Sequence, residues 1–149
     1  MDDILKKMQT MKFGQPARES DIQSFQSVFG ITFPTEYTRF MLQHNGAEGP
    51  IGEYAYLAIW STDEIAEFYQ GDLLKDALPG YFFFASDRSG YLFAFDYHST
   101  DINIVCVPDE IEDFSEITMI AHSFNEFINY IYNLDFSEEM DQIKEGEQN

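Results

Sequence analysis

Residues 82–97, FFFASDRSGYLFAFDY, decide the fold class that the sequence predicts. Two runs rich in aromatic residues, Tyr81 to Ala85 and Tyr91 to Tyr97, flank a short polar stretch, and aromatic residues favour strands. Asp87 at the first position and Gly90 at the last suit a type I turn between them. The pattern therefore predicts a β-hairpin, with successive side chains of each strand on opposite faces of a sheet.

Strand and helix signals continue on both sides of this hairpin. Residues 53–60, EYAYLAIW, have the aromatic content of a strand, and Ile102 to Val107 is a second strand-like run. Capping-box pairs, a Ser followed three residues later by Glu or Gln, predict helix starts at Ser20, Ser61 and Ser123. The other helix signals are the apolar spacing over Asp2 to Met11, the stop at Gly30, the start at Pro34 and the stop at Asn45-Gly46.

The predicted order of elements is α-α-α-β-α-β-β-β-α, with residues 12–18 as a loop around Gly14 and Pro16. Helices that flank consecutive strands favour an α+β fold with a central, mainly antiparallel sheet of about four or more strands. No repeat or linker divides the chain. We therefore predict one domain over residues 1–149, with a core at about 20–134 and an acidic tail at about 135–149.

Composition excludes several classes of protein. A chain of 149 residues that is 44% hydrophobic and 17% aromatic can bury a core, which excludes disorder over most of its length. Asp and Glu number 27 against 8 Lys and Arg, a net charge of -19, so nucleic acid and anionic membranes are poor partners. A basic protein is the favoured partner, because a negative field accelerates its approach. The charge is also consistent with a merely solvated acidic surface.

The cysteine count and the N-terminal sequence predict a cytoplasmic protein. Cys106 is the only cysteine, so no intrachain disulfide forms, which fits a reducing compartment. The stretch MDDILKKMQTMKF lacks the apolar core of a signal peptide. No run approaches the roughly 18–20 apolar residues that a membrane-spanning helix needs.

Few residues have the spacing of a catalytic or metal site. The histidines His44, His98 and His122 lack the spacing of a zinc pair, so neither a metal nor a cofactor is expected. Asp96 and His98 share one strand face, and they carry an alternative hypothesis of a small acid–base or metal-dependent enzyme, in which Asp87 is a further acid–base group.

Three stretches together resemble the SUKH superfamily. The run FGITFPTEYTRFMLQHNGAEG at 29–49 is similar to its Gly–Pro–Tyr–Phe–Leu–Asn–Gly signature, and the hairpin at 82–97 and residues 123–127 are similar to its hairpin and final helix. Arg88-Ser89 replaces glycines that the family favours, and Tyr91 replaces a frequent Asp. The matching residues are Gly30, Pro34, Tyr37, Phe40, Leu42, Asn45, Gly46, Trp60, Asp87, Gly90, Phe95, Asp96, Ser123, Phe124, Glu126 and Phe127.

The superfamily includes bacterial immunity proteins and yeast regulators of cell-wall synthesis. The resemblance therefore implies a non-enzymatic α+β domain that neutralises a polymorphic toxin, often a nuclease, from the same bacterium. A nuclease carries positive charge to hold phosphate, and an acidic inhibitor suits such a cleft. The chain is expected to be a monomer or weak homodimer. An adaptor in cell-wall or signalling control is the alternative from the eukaryotic branch.

The expected contact residues combine acids with aromatic side chains. Core packing is the favoured interpretation of Trp60, and an exposed anchor at a protein interface is the alternative, which Tyr54 and Tyr56 share. We expect buried aromatics to set the dissociation rate and acids to set the approach. The candidates are Glu48, Glu53, Tyr54, Tyr56, Trp60, Asp63, Asp109, Glu110, Glu112, Asp113 and Glu116.

Overall fold

The computed structural model describes residues 2–71 and 78–134. The acidic tail predicted from about residue 135 lies outside them. The described residues form a seven-stranded sheet in which each strand pairs antiparallel with the next along the chain. The strands are β1 (Lys12–Phe13), β2 (Ala47–Ile51), β3 (Ala55–Ile59), β4 (Tyr81–Ser86), β5 (Tyr91–Asp96), β6 (Asn103–Pro108) and β7 (Thr118–Ala121).

Helices precede, interrupt and follow this sheet, which confirms the predicted α+β class. They are α1 (Asp2–Lys7), α2 (Glu19–Phe29), α3 (Thr35–Gln43), α4 (Thr62–Gly71) and α5 (Phe124–Tyr132), with a 3-10 turn at Phe114–Glu116. The strands β1, β2 and β7 were not predicted. β1 and β7 are short, β1 falls in the predicted loop, and β2 contains Gly49 and Pro50, two residues that are rare in strands.

The predicted helix boundaries differ from the structure at α1, which ends at Lys7 and not at Met11, and at the start of α2. Ser61 and Glu64 form a reciprocal capping box at α4, and the Ser123 hydroxyl accepts the Glu126 N–H at α5. The capping box predicted at Ser20 is wrong, because α2 begins one residue earlier, at Glu19, and has no side-chain cap. Gly30 ends α2 in the left-handed conformation, as predicted, with φ at 66°.

Asn45 and Gly46, which follow α3, contact the end of β3 and the start of α4. The Asn45 side-chain oxygen accepts the Thr62 N–H at 2.9 Å, and its amide donates to the Thr62 hydroxyl at 3.2 Å. Gly46 has a φ of 87°, and a Cβ here would lie 2.6 Å from the Ile59 carbonyl oxygen. The Asn-Gly pair therefore has a structural role, because only glycine fits the close approach to β3.

Aromatic rings fill the core between the sheet and the helices α3 and α5. Phe84 of β4 stacks on Phe95 of β5 with centroids 4.2 Å apart, and Tyr37 of α3 meets Phe95 edge-on at 4.9 Å. Phe124 and Phe127 of α5 complete the cluster. All five side chains are fully buried, so this cluster fixes α3 and α5 on one face of the sheet.

The topology assigns the connections to two ends of the sheet. In a sheet whose strands run up and down in order, alternate connections lie at the same end. The β2–β3, β4–β5 and β6–β7 connections therefore share one end. The β3–β4 and β5–β6 connections share the other.

Candidate functional site

Most of the expected contact residues lie at the end of the sheet formed by the β2–β3, β4–β5 and β6–β7 connections. Arg88 of the β4–β5 connection binds the carboxylates of Glu48 and Glu64. We call the three connections together with these two acids the acidic end. The backbone N–H of Asp109 donates to the Gly90 carbonyl at 2.9 Å and ties the third connection to the second. The carboxylates of the acidic end are Glu48, Glu53, Glu64, Asp87, Asp109, Glu110, Glu112, Asp113 and Glu116, whereas Asp63 is an exposed residue in the first turn of α4, in the β3–β4 connection.

Arg88 draws two of these acids together from different elements. Its Nη2 donates to Glu48 Oε1 and to Glu64 Oε2, both at 2.8 Å, and the Tyr56 hydroxyl donates to Glu48 Oε2 at 2.8 Å. The hydrogen bond from Arg88 lowers the pKa of Glu48 below its ordinary value, and the bond from Tyr56 adds to this. Glu48 is therefore a charged acceptor at neutral pH. Arg88 also has a φ of 59°, which L-residues rarely adopt.

The β6–β7 connection contributes five carboxylates, and two of them stabilise the connection itself. Asp113 accepts the Ser115 N–H at 2.8 Å, which lowers the pKa of Asp113, and Glu116 accepts the N–H groups of Glu112 and Asp113. This capping box holds the backbone and presents the neighbouring side chains to solvent. Asp109 and Glu110 are exposed, and Phe114 is 67% exposed between the capping acids.

The three aromatic residues expected at the interface fall into two groups. Tyr54 and Tyr56 are about half exposed beside Glu48 and Glu53. Trp60 is only 5% exposed and packs on Phe68 with ring centroids 5.0 Å apart. Core packing, the favoured interpretation of Trp60, is therefore confirmed, and the inclusion of Trp60 among the contact residues is wrong, because the end of β3 brings it under α4 into the core.

An apolar groove of about 400 Å³ opens beside Tyr54 and Tyr56, and the sequence analysis did not predict it. Tyr91 at the start of β5 and Tyr130 on α5 also line it, and the four tyrosines are between 40 and 51% exposed. We call it the tyrosine groove. Strand alternation places Tyr91 on the helix-covered face, but nothing local in the sequence shows that α5 leaves this part of the face open.

The alternative site, Asp96 and His98, lies at the opposite end of the sheet. His98 Nδ1 is 2.6 Å from Asp96 Oδ1, and the same oxygen accepts the His98 N–H at 2.9 Å. The ring also contacts Tyr81, with centroids 4.7 Å apart. An Asp oxygen that contacts both the backbone N–H and the side chain of the residue two positions later is typical of a side chain that closes a turn. Asp87 belongs to the other end, so the three groups of the enzymatic hypothesis do not converge.

The described part of the chain contains neither a grouped set of metal ligands nor a membrane-spanning helix. Over residues 2–71 and 78–134, no three His, Cys, Asp or Glu side chains are grouped as metal ligands. Within the same ranges, no helix has both the length and the apolar character required to cross a bilayer.

The sequence comparison identifies the family. The model of the SMI1/KNR4 family (SUKH-1) matches residues 16–130, which include α2 to α4, all strands except β1, and α5 without its last two residues. The chain belongs to the SMI1/KNR4 (SUKH-1) family. It is also 25% identical over 126 residues, 84% of this chain and 83% of the other, to a Bacillus subtilis (strain 168) protein described as uncharacterized protein YnaB.

SUKH-1 membership confirms the resemblance on which the sequence analysis relied. Domains of this family are generally non-enzymatic immunity or regulator domains. The residues of the family signature have mainly structural roles. Gly30 ends α2, and Tyr37 is in the core. Asn45 and Gly46 pack against the end of β3 and the start of α4. The signature therefore identifies the fold and not the partner.

Proposed function

We propose that this SUKH-1 protein is an immunity protein that binds and neutralises a cognate basic toxin, and that the toxin is a nuclease. The observation that supports it is the grouping of nine carboxylates at the acidic end of the sheet. A nuclease must present cations to hold phosphate, and a fixed array of carboxylates complements such a cleft. Neutralisation requires only that the protein blocks the phosphate-binding cleft of the nuclease.

The acids of the β6–β7 connection are expected to determine the association rate. Asp109, Glu110 and Glu112 are exposed and do not form the capping box, so their carboxylates can meet cations of a partner without unfolding the connection. Rim charges of this kind change the association rate and its salt dependence more than the dissociation rate. Raising the salt concentration is therefore expected to slow association.

Growth rescue tests the proposal. Expression of the toxin encoded beside this gene is expected to stop growth, and co-expression of the protein is expected to restore it. The triple variant D109K/E110K/E112K is expected to lower the association rate of the purified pair by about tenfold or more at low salt. A matched variant, D3K/E19K/D101K, makes the same change in net charge on exposed residues of α1, α2 and the β5–β6 connection.

Two results would contradict the proposal. Absence of both rescue and co-purification would exclude an immunity role and favour the regulator branch of the family. An equal loss of association in the two triple variants would show that total charge, and not the acidic end, attracts the partner.

A further inference from the structure

The tyrosine groove has the features of an anchor site at a protein interface. Its base is apolar, with Phe93, Cys106 and Ile120 from the sheet and Ile131 from α5. Its volume of about 400 Å³ is within the range of roughly 300–1,000 Å³ for ligand pockets. Tyrosine is enriched among the residues that dominate binding energy, because it buries a large ring at low entropic cost. The groove can therefore take a few inserted side chains.

Among the described residues that line the groove, Asp87 is the one with a charged side chain. Its Oδ1 accepts the N–H groups of Ser89 and Tyr91, at 2.9 and 3.0 Å, and these bonds hold the β4–β5 turn. Within the described ranges, Oδ2 accepts no hydrogen bond. The groove thus combines aromatic faces, an apolar base and a carboxylate that is already fixed in position.

This combination suits arginine more than any other side chain. A guanidinium stacks on tyrosine faces and bonds to carboxylates through its planar fork, and its methylene stem covers apolar surface. Lysine lacks the planar group that stacks. The carboxylates of the adjoining acidic end favour a positively charged segment over a neutral one.

Charge also decides against the other occupants. A second copy placed groove to groove about a two-fold axis would bring two acidic ends together, each from a chain of net charge -19. The chain's own residues 135–149 contain six acids and one lysine, so they carry the same unfavourable sign.

We propose that the tyrosine groove anchors an arginine-bearing apolar segment of the basic partner, with the guanidinium between the tyrosine rings and Asp87. The inference rests on the proposed function for the partner being a basic protein. It adds a second contact region to the acidic end. Aromatic and guanidinium contacts buried in the groove are expected to slow dissociation of the partner, whereas the exposed acids determine its association rate.

A peptide of nine residues with alternating arginine and leucine, labelled with fluorescein, is the probe. Binding is measured by fluorescence anisotropy, and the bound position by shifts of backbone amide resonances in the full chain. We expect the arginine peptide to bind more tightly than its lysine counterpart, and both more tightly than a peptide with uncharged citrulline. We expect the largest amide shifts at Phe93, Cys106 and Ile120.

Adjacent residues of β7 provide a matched pair of variants. Thr118 is exposed and lines the groove, so T118W is expected to fill it and weaken peptide binding by about tenfold, a cost of roughly 1.4 kcal/mol. Met119 points to the opposite face and is 48% exposed, so M119W is expected to bind like the wild type. Equal melting temperatures of the two variants would show that T118W retains the fold.

A second pair on α5 uses substitutions that remove atoms. Tyr130 lines the groove and Tyr132 does not, although the two are 40 and 38% exposed. Y130A is expected to weaken binding of the arginine peptide, and Y132A to leave it within about twofold. Equal effects of the two variants, or shifts confined to residues 109–116, would overturn the groove assignment.

The groove and the proposed function can fail separately. If T118W weakens peptide binding as expected but the wild-type protein does not neutralise the toxin, the groove stands and the immunity function is wrong. If T118W rescues growth as well as M119W does and binds the toxin with the same dissociation rate, the function stands and the groove assignment is wrong.

Discussion

One strand shows how differently the two ends of the sheet are used. Every second residue of β5 lies on the face that α5 covers, and these residues are Tyr91, Phe93 and Phe95. Phe95 is fully buried in the aromatic cluster, Phe93 is buried against Phe127 at 5.1 Å, and Tyr91 is 49% exposed in the groove. The same face is thus closed at one end and open at the other. Stability is expected to depend on the closed end, and recognition on the open end.

The largest expected effect is a loss of stability caused by a substitution at the closed end. Phe95→Ala removes a ring that stacks on Phe84 and meets Tyr37, so it leaves a large cavity. We expect a loss of about 3–5 kcal/mol in the free energy of unfolding, measured by urea denaturation. Tyr91→Ala on the same strand face is expected to cost less than about 1 kcal/mol, because half of its ring is already in water. Similar costs for the two substitutions would refute the division between the ends.

The sequence predicted the closed end better than the open one, for physical reasons. Aromatic alternation and turn residues are local signals, so the hairpin, its faces and most helix boundaries could be predicted. β2 could not, because Gly49 and Pro50 suppress the strand signal and pairing with β3 overrides it. The groove depends on where Tyr130 lies relative to Tyr91, which is a tertiary property. The burial of Trp60 could not be settled from the sequence, because the end of a strand is compatible with a ring in the core and with a ring on the surface.

A smaller loss is expected where α4 borders β4. The β3 strand pairs with β4 only near its end, and the Tyr69 hydroxyl accepts the buried Phe83 N–H at 2.8 Å. Tyr69→Phe leaves this N–H without its partner, so we expect a loss of about 1–3 kcal/mol in the free energy of unfolding. Amide hydrogen exchange at Phe83 supplies the direct measurement. Unchanged exchange there would show that the hydroxyl does not protect the strand.

Tyr37→Phe is expected to have the opposite sign. The Tyr37 hydroxyl is fully buried and forms no hydrogen bond with the described residues, so its burial costs free energy that phenylalanine avoids. We expect a gain of about 1 kcal/mol in stability, measured as a higher urea midpoint.

The alkaline pH dependence provides the control for Tyr37→Phe. Burial raises the pKa of Tyr37 above its ordinary value of 10.0. The stability that depends on the neutral hydroxyl is therefore complete below pH 10.0 and is lost as pH rises above it. Tyr37→Phe removes this loss, so its advantage over the wild type is expected to grow above pH 10. A constant difference across that range would contradict the assignment to Tyr37.

The smallest expected effect concerns the open end. Arg88 lowers the pKa of Glu48, so the stabilisation is complete above the ordinary value of 4.5 and is lost as pH falls through the lowered pKa. Both side chains are about 40% exposed, so the difference in unfolding free energy between wild type and Glu48→Gln is expected to be below about 1 kcal/mol at pH 7 and to vanish at low pH. Glu53→Gln, the same charge change in the β2–β3 turn, controls for total charge. A persistent difference at low pH would contradict the ion-pair explanation. Because the pair is weak, a cation of a partner can replace Arg88 on Glu48 at little cost, which the closed end would not permit.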